Sequence, residues 1–250
     1  ILAMDVSGSM RAEDLRPNRL EAAKAAARAF VARQPEHVRL GVVAFANGAS
    51  VVQAPTTDRE AVLAAIDRLT TQRSTAIGNG LLTSLSAIFE DRSSPTPPPS
   101  RDFGSLVPVS PTPTPVPRGT FAPAAIVLLS DGQNNTGPDP LEVVRQAVNR
   151  GVRVYTVGIG SPEGTVIRAD GRSIRVRLDE AALRRIADDT GATYFRADSE
   201  TDLREIYENL STGLVVKPEQ TELTAAVTGG AVVLFLVSGV LSLLWFSRLP

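Results

Sequence analysis

The sequence predicts an α/β domain on a doubly wound, mostly parallel six-stranded sheet with one antiparallel edge strand. Short apolar segments typical of buried strands alternate with helical segments along most of the 250-residue chain. This alternation indicates a sheet covered by helices on both faces. A second observation concerns two strand-like segments that are joined by little more than Asn47-Gly48. Asn-Gly is a hairpin signal, so these two strands should be antiparallel.

The individual elements follow from hydrophobic pattern and turn residues. Pro17 suits the first turn of the first helix, where a missing N–H is tolerated. Asp170-Gly171 should turn a small hairpin between residues 165–169 and 172–178. The predicted strands cover residues 1–4, 38–46, 50–55, 124–130, 152–160 and 192–197, and the helices cover residues 16–34, 58–69, 76–90, 140–150, 179–191 and 201–214. Together they predict one domain over residues 1–214.

One segment of this domain does not fit the alternation. Residues 92–123 are rich in proline and have almost no periodicity. Proline fixes φ and removes a hydrogen-bond donor, so this segment is expected to be a flexible insert that interrupts the domain without ending it. A recognition loop is the alternative.

The C-terminal part predicts a membrane anchor. Residues 225–246 carry no charge and contain enough apolar residues to span a bilayer as a helix, preceded by a juxtamembrane linker at 215–224. A buried core helix is the alternative. Arg248 beyond the span, against Lys217, Glu219 and Glu222 before it, places the domain outside the cytoplasm. The first residue is Ile and no signal peptide is visible, so we expect the sequence to begin inside a longer protein, with upstream helices as an open question.

Composition excludes several classes of function. The net charge of −1 gives none of the basic field that nucleic-acid binding needs. The chain has no cysteine and one histidine, His37, which excludes thiolate and multi-histidine metal sites as well as a histidine-based triad. We expect His37 to lie in a surface loop.

Oxygen-bearing side chains occur at three element boundaries. Asp5, Ser7 and Ser9 alternate directly after the first strand, Thr75 precedes a helix, and Asp131 follows a strand. In doubly wound sheets such loops gather at the carboxyl ends of the strands, where ligands bind. Alone, Thr75 would be a helix cap and Asp131 a turn former. Oxygen-only ligands favour hard cations such as Mg²⁺, so the combination predicts a cation site.

These residues also carry a family resemblance. The segment DVSGS, then Thr75 and SDG, resembles the metal-ion-dependent adhesion site of von Willebrand factor A domains, which have a Rossmann-like fold. The resemblance covers residues 1 to about 212. It implies that Asp5 and Asp131 supply carboxylates and that Ser7, Ser9 and Thr75 supply hydroxyls, some through water. Gln72-Arg73-Ser74 replaces a glycine-rich approach to Thr75 in this chain.

A narrower likeness indicates the biological setting. The segments FANGASVVQAPTTDR, TAIGNGL and LLSDGQNNTG are similar to bacterial aerotolerance-type membrane proteins. The resemblance implies a non-enzymatic, membrane-anchored module that binds Mg²⁺, with Mn²⁺ and Ca²⁺ as alternatives. The expected partner is a protein whose Asp or Glu carboxylate reaches the metal, and other von Willebrand factor A membrane proteins are candidates.

Three other functions are compatible with parts of the sequence. Asp5 could be a phosphatase nucleophile, but that chemistry needs a second nearby carboxylate and a lysine, and serines follow Asp5 instead. Residues 158–164, GIGSPEG, resemble a dinucleotide-binding turn but precede a hairpin rather than a helix. A purely structural ion stays open, and its test is whether partner binding survives chelation.

Overall fold

A computed structural model describes residues 1–90, 121–169 and 172–197 of the chain. All of these belong to the first of two units, Ile1–Val215 and Val216–Pro250. The strands are β1 Leu2–Asp5, β2 Leu40–Phe45, β3 Ala49–Thr56, β4 Ala125–Ser130, β5 Arg153–Ile159, β6 Thr165–Ala169, β7 Arg172–Val176 and β8 Tyr194–Ala197. The helices are α1 Arg19–Arg33, α2 Arg59–Asp67, α3 Ile77–Glu90, α4 Pro140–Asn149 and α5 Glu180–Asp189, with a short 3₁₀ turn at Gly8–Arg11.

The main sheet confirms the predicted fold class. Its six strands are ordered β3-β2-β1-β4-β5-β8. Every neighbouring pair is parallel except β2 and β3, which form the predicted hairpin at the edge. β1 lies between β2 and β4, so the strand order reverses beside it. In open α/β sheets the crevice at such a reversal is where ligands bind.

The central strands β1, β2, β4 and β5 are almost entirely buried on both faces of the sheet. Successive residues of a strand point to opposite sides, and in β1 Met4 packs in one core while Ala3 packs in the other. The Met4 core includes Leu20 and Phe30 of α1, and the Ala3 core includes Ile77 of α3. Because both faces of β1 are packed in the core, the strand carries a polar side chain only at its carboxyl end, at Asp5.

The helices begin at side-chain caps, and one expected start is wrong. Pro17 lies before α1 rather than in its first turn, because Asn18 caps the helix by accepting a hydrogen bond from the backbone N–H of Glu21. Asn satisfies an otherwise unpaired N–H at this position, which proline cannot do. Asp58, as predicted, caps α2.

The predicted small hairpin, the segment after Gly160 and the position of His37 also agree with the sequence. β6 and β7 form an antiparallel pair separate from the main sheet, hereafter the β6–β7 hairpin. No helix follows Gly160, since the chain passes from β5 directly into this hairpin. His37 is exposed in a turn.

Several predicted segments lie outside the described residues. They include most of the insert at 92–123, the helix at 201–214, the linker at 215–224 and the span at 225–246. Among the residues that are described, no helix combines the length and hydrophobicity needed to cross a bilayer.

A close contact between α3 and β2 yields a stability prediction. A Cβ at Gly80 would lie 2.7 Å from the buried ring of Phe45, whereas a Cβ at Gly48 would meet nothing within 4 Å. Ala normally stabilises a helix interior by about 1 kcal/mol over Gly, but overpacking costs about 1–3 kcal/mol. Gly80→Ala should therefore lower the free energy of unfolding in urea, and the control Gly48→Ala should change it by less than about 0.5 kcal/mol. A stabilised Gly80→Ala variant would contradict this contact.

Candidate metal centre

Three loops meet at the carboxyl edge of the sheet, beside β1 and β4. Asp5 is the last residue of β1, and Asp131 directly follows β4. Thr75 lies two residues before the start of α3. We call the side chains of Asp5, Ser7, Ser9, Thr75 and Asp131 the oxygen cluster. Because β1 and β4 are hydrogen-bonded neighbours, the two aspartates are adjacent although they are far apart in sequence.

The first loop folds back on itself. One carboxylate oxygen of Asp5 accepts a hydrogen bond of 2.8 Å from the backbone N–H of Ser7. The 3₁₀ turn then returns Ser9 toward Ser7, and their Oγ atoms lie 2.9 Å apart. Ser9 also donates to the carboxylate of Asp131. The alternating Asp-x-Ser-x-Ser pattern therefore converges on one point.

Ser130 is a site residue that the sequence reasoning missed. Its hydroxyl donates to the second carboxylate oxygen of Asp5 at 2.6 Å, and its Oγ accepts from the backbone N–H of Gly132 at 3.1 Å. It is fully buried. The available signal was its position as the polar end of an otherwise apolar strand, next to Asp131.

The Thr75 loop is fastened to both other loops through its backbone. The N–H of Thr75 donates to the side chain of Asn135 at 2.9 Å, and the N–H of Asn135 donates back to the carbonyl of Thr75 at 3.0 Å. The side chain of Asn134 accepts from the N–H of Ile77 and so caps α3. The N–H of Gln72 donates to the carbonyl of Val6 in the first loop at 2.6 Å. Thr75 is thus fixed at the cluster, and the structure shows no bond from its hydroxyl to the aspartates.

Ser74 occupies a left-handed backbone position that ordinarily favours glycine. Its φ of +64° is left-handed, a value that no other non-glycine residue adopts in the described ranges. Such a conformation costs energy for a residue with a Cβ and is maintained only where the surroundings require it. The Gln72-Arg73-Ser74 departure therefore leaves the loop before Thr75 in a tight turn.

The two aspartates of the cluster repel each other when both are ionised. Both are fully buried. Burial, together with the charge of Asp131, raises the pKa of Asp5 to about 7, against hydrogen bonds from Ser130 and Ser7 that lower it. Burial also raises the pKa of Asp131, against a hydrogen bond from Ser9 and the charge of Arg19. Two adjacent carboxylates without solvent are costly unless a proton or a cation is present.

A second buried charge lies behind Asp131. Arg19 is fully buried and forms ion pairs with Asp14 at 2.5 Å and with Asp131 at 3.4 Å. Sequence reasoning missed both Arg19 and Asp14. Arg19 is the first residue of α1, where helical periodicity has not yet begun to distinguish core from surface, so the pattern gave no signal.

The donor set of the cluster fits a hard divalent cation. Its atoms are carboxylate and hydroxyl oxygens, the ligands that Mg²⁺ and Ca²⁺ prefer. Within the described residues, no three His, Asp or Glu side chains converge on a common point. A cation here would be bound by two carboxylates together with hydroxyl oxygens, rather than by three or more carboxylates.

Comparison with known proteins identifies the family to which the fold belongs. The family model of the von Willebrand factor type A domain matches residues 1–133. UPF0353 proteins of Mycolicibacterium vanbaalenii and Nocardia farcinica are each 36% identical to this chain, over 216 and 225 residues respectively. The matches cover 84% of this chain and only 58% and 61% of those proteins. The chain therefore spans about three fifths of the length of these relatives.

Solved structures share the fold at lower identity. The conserved hypothetical protein BatB of Bacteroides thetaiotaomicron superposes with a TM-score of 0.64 at 24% identity, covering 84% of this chain and 96% of that one. An aerotolerance-related membrane protein of Bacteroides fragilis gives 0.63 at 24% identity, covering 85% and 97%. Proximal thread matrix protein 1 of the mussel byssus, solved with zinc in its MIDAS motif, gives 0.56 at 21% identity, covering 85% and 44%.

The raised pKa of Asp5 predicts a pH dependence for the metal-free protein. The folded pKa of about 7 lies above the ordinary value of 3.8, so between these values the folded state holds more protons than the unfolded state. Stability contributed by the protonated group is therefore lost as pH rises through about 7. In EDTA, wild type should lose on the order of 2–3 kcal/mol of unfolding free energy relative to Asp5→Asn between pH 5 and pH 8. Urea titrations would measure this, and a difference that stays constant with pH would refute the shift.

Proposed function

This chain belongs to the von Willebrand factor type A domain family, and on that basis we propose that its oxygen cluster binds a divalent cation, Mg²⁺ in the first instance, to recognise a protein partner. The single observation that carries the proposal is the burial of Asp5 and Asp131 side by side. Burial raises the pKa of both carboxyls, and the charge of Asp131 raises that of Asp5 further; a divalent cation would offset the cost of holding both groups ionised. Asp5, Ser7, Ser9, Thr75 and Asp131 are the proposed ligands, directly or through water.

The nature of the donors favours Mg²⁺. It binds few protein ligands, prefers carboxylates and retains waters. Mn²⁺ and Ca²⁺ bind the same class of oxygen ligand and are the alternatives. The mussel protein with zinc in its MIDAS motif illustrates that a site on this fold can also accept a softer metal. The bound ion would supply a Lewis-acidic position that a partner's Asp or Glu carboxylate completes.

Exposed features beside the cluster support a protein partner. The β6–β7 hairpin exposes two large apolar side chains, Val166 at 62% and Ile174 at 47%. After β7 the chain packs against the Asp131 loop: the N–H of Asp179 donates to the carbonyl of Asp131 at 2.8 Å, and Gln133 donates to the carbonyl of Arg177 at 2.7 Å. Apolar surface beside a polar site is typical of protein interfaces. A second von Willebrand factor A membrane protein remains a candidate partner.

The contacts favour binding over hydrolysis. A phosphatase mechanism at Asp5 needs a lysine beside the nucleophile. The lysine among the described residues, Lys24, instead bonds Glu21 at 2.9 Å and the carbonyl of Asp67 at 3.3 Å. The residues two and four positions after Asp5 are serines rather than a carboxylic acid, and the neighbouring carboxylate of Asp131 faces Arg19. We therefore propose a non-enzymatic module.

We further propose that the chain is anchored in a bacterial membrane. The uncharged run at residues 225–246 is the predicted span, and the similar fold from Bacteroides fragilis is described as a membrane protein. The residues before the span, Lys217, Glu219 and Glu222, are more negative in net charge than those beyond it, which include Arg248, and this difference supports our proposal that the domain lies outside the cytoplasm. In that compartment the site would meet free divalent cations.

Metal binding is tested directly by calorimetry. Asp5→Ala and Asp131→Ala should each abolish the Mg²⁺ or Mn²⁺ binding that wild type shows, because each removes a buried carboxylate donor. Circular dichroism should show the fold retained, and the exposed Asp188→Ala is the matched control expected to bind as wild type does. Unchanged affinity in both cluster variants would refute the assignment. Partner capture from native membranes that survives EDTA would instead favour a structural ion.

Topology is tested with a single cysteine. The chain has no cysteine of its own, and Ser50 is exposed at the edge of the sheet. In spheroplasts, a membrane-impermeant maleimide should label Ser50→Cys without lysis, because the domain is proposed to lie outside. Labelling only after lysis would place the domain in the cytoplasm.

A further inference from the structure

Arg19 is the most completely buried charge beside the oxygen cluster. Its side chain has no exposure, and its guanidinium makes two hydrogen bonds with Asp14, of 2.7 Å from Nε and 2.5 Å from the second terminal nitrogen. The remaining terminal nitrogen, Nη1, lies 3.4 Å from a carboxylate oxygen of Asp131. One planar group therefore joins an outer carboxylate to a carboxylate of the cluster.

This contact helps to fix the orientation of Asp131. The oxygen Oδ2 of Asp131 faces Arg19, and Oδ1 accepts from the backbone N–H of Gln133 at 3.2 Å. Both oxygens thus have a donor within the chain. A carboxylate restrained at both oxygens has few orientations left, so its remaining lone pairs point in a defined direction.

The loop after β5 leaves room for the guanidinium of Arg19. Gly160 has a φ of +113°, and a Cβ there would collide with the guanidinium. The backbone N–H of Ser161, next to Gly160, donates to the carboxylate of Asp14 at 3.3 Å. Buried ion pairs seldom stabilise a fold more than apolar residues of the same size would, so packing alone gives no reason for an arginine at this position.

We propose that Arg19 is a positioning residue for the metal ligand Asp131, held in place by Asp14; the inference rests on the proposed function. The planar guanidinium binds Asp14 through two nitrogens while its third nitrogen faces Asp131, a geometry that the single ammonium of a lysine does not reproduce. Arg19 also sets the charge of the site. When ionised, Asp5, Asp14, Asp131 and Arg19 sum to −2, which a divalent cation neutralises.

The inference is tested by the Mn²⁺ affinity of the folded, purified full-length chain, measured by electron paramagnetic resonance and calorimetry. Loss of a residue that orients a metal ligand typically weakens binding about 10- to 100-fold, and we expect this for Arg19→Gln. Arg19→Lys keeps the charge without the fork and should recover part of the loss. Asp14→Asn leaves the ligands intact and should weaken binding several-fold.

A control lies on the same helix. Arg28 pairs with Asp67 at 2.6 Å on the surface, so Arg28→Gln removes a comparable ion pair away from the cluster and should bind Mn²⁺ as wild type does. A purely structural role for Arg19 would lower the melting temperature but leave the affinity of the folded protein unchanged.

The outcomes separate the two proposals. Wild-type affinity, or tighter binding, in folded Arg19→Gln overturns the positioning role alone. Should Arg19→Gln fail to fold, wild-type affinity in both Arg19→Lys and Asp14→Asn overturns it. A wild-type chain that binds no Mn²⁺ overturns the proposed function and this inference together.

Discussion

The repulsion between two buried carboxylates is the constraint on which the rest of the site depends. Asp5 and Asp131 follow neighbouring parallel strands, so the sheet itself brings them together. Each is without solvent. The groups that contact the two carboxylates compensate their charges: hydroxyls from Ser7, Ser9 and Ser130, backbone N–H groups, and one guanidinium. We propose that a cation completes this arrangement, and the carboxylate and hydroxyl oxygens favour a hard divalent one.

The loops are rigid because they are bonded to one another rather than to solvent. Asn134 and Asn135 hold the Thr75 loop from the Asp131 side, and Gln72 holds it from the Asp5 side. Gly132 has a φ of +79° and packs directly on the backbone of Asp179, which leads into α5. The Asp131 loop therefore packs directly against the start of α5. The segment that follows the β6–β7 hairpin contacts the same loop.

Much of this architecture could be predicted from the sequence, for local reasons. Alternating apolar runs identified the sheet, Asn47-Gly48 identified its antiparallel edge, and the Asp-x-Ser-x-Ser spacing located the first loop of the site. The start of α1 was misjudged because Pro17 and Asn18 both suit a helix start, and only the cap bond to Glu21 decides between them. Ser130 and Arg19 could not be found in this way. Ser130 ends an apolar strand beside Asp131, but its bond to Asp5 joins residues 125 apart, and the pairing of Arg19 with Asp131 joins residues 112 apart. No local pattern in a single sequence indicates such pairings.

The most direct measurement of the central proposal is a crystal structure of this chain grown with Mn²⁺, with anomalous scattering used to place the metal. We predict one strong anomalous peak at the carboxyl edge of the sheet, within direct or single-water distance of Asp5, Ser7, Ser9, Thr75 and Asp131. The carboxylate of Asp131 should still face Arg19 in that structure. A fully occupied peak elsewhere, or an ordered cluster with no peak at saturating Mn²⁺, would contradict the proposal that these side chains form a cation site.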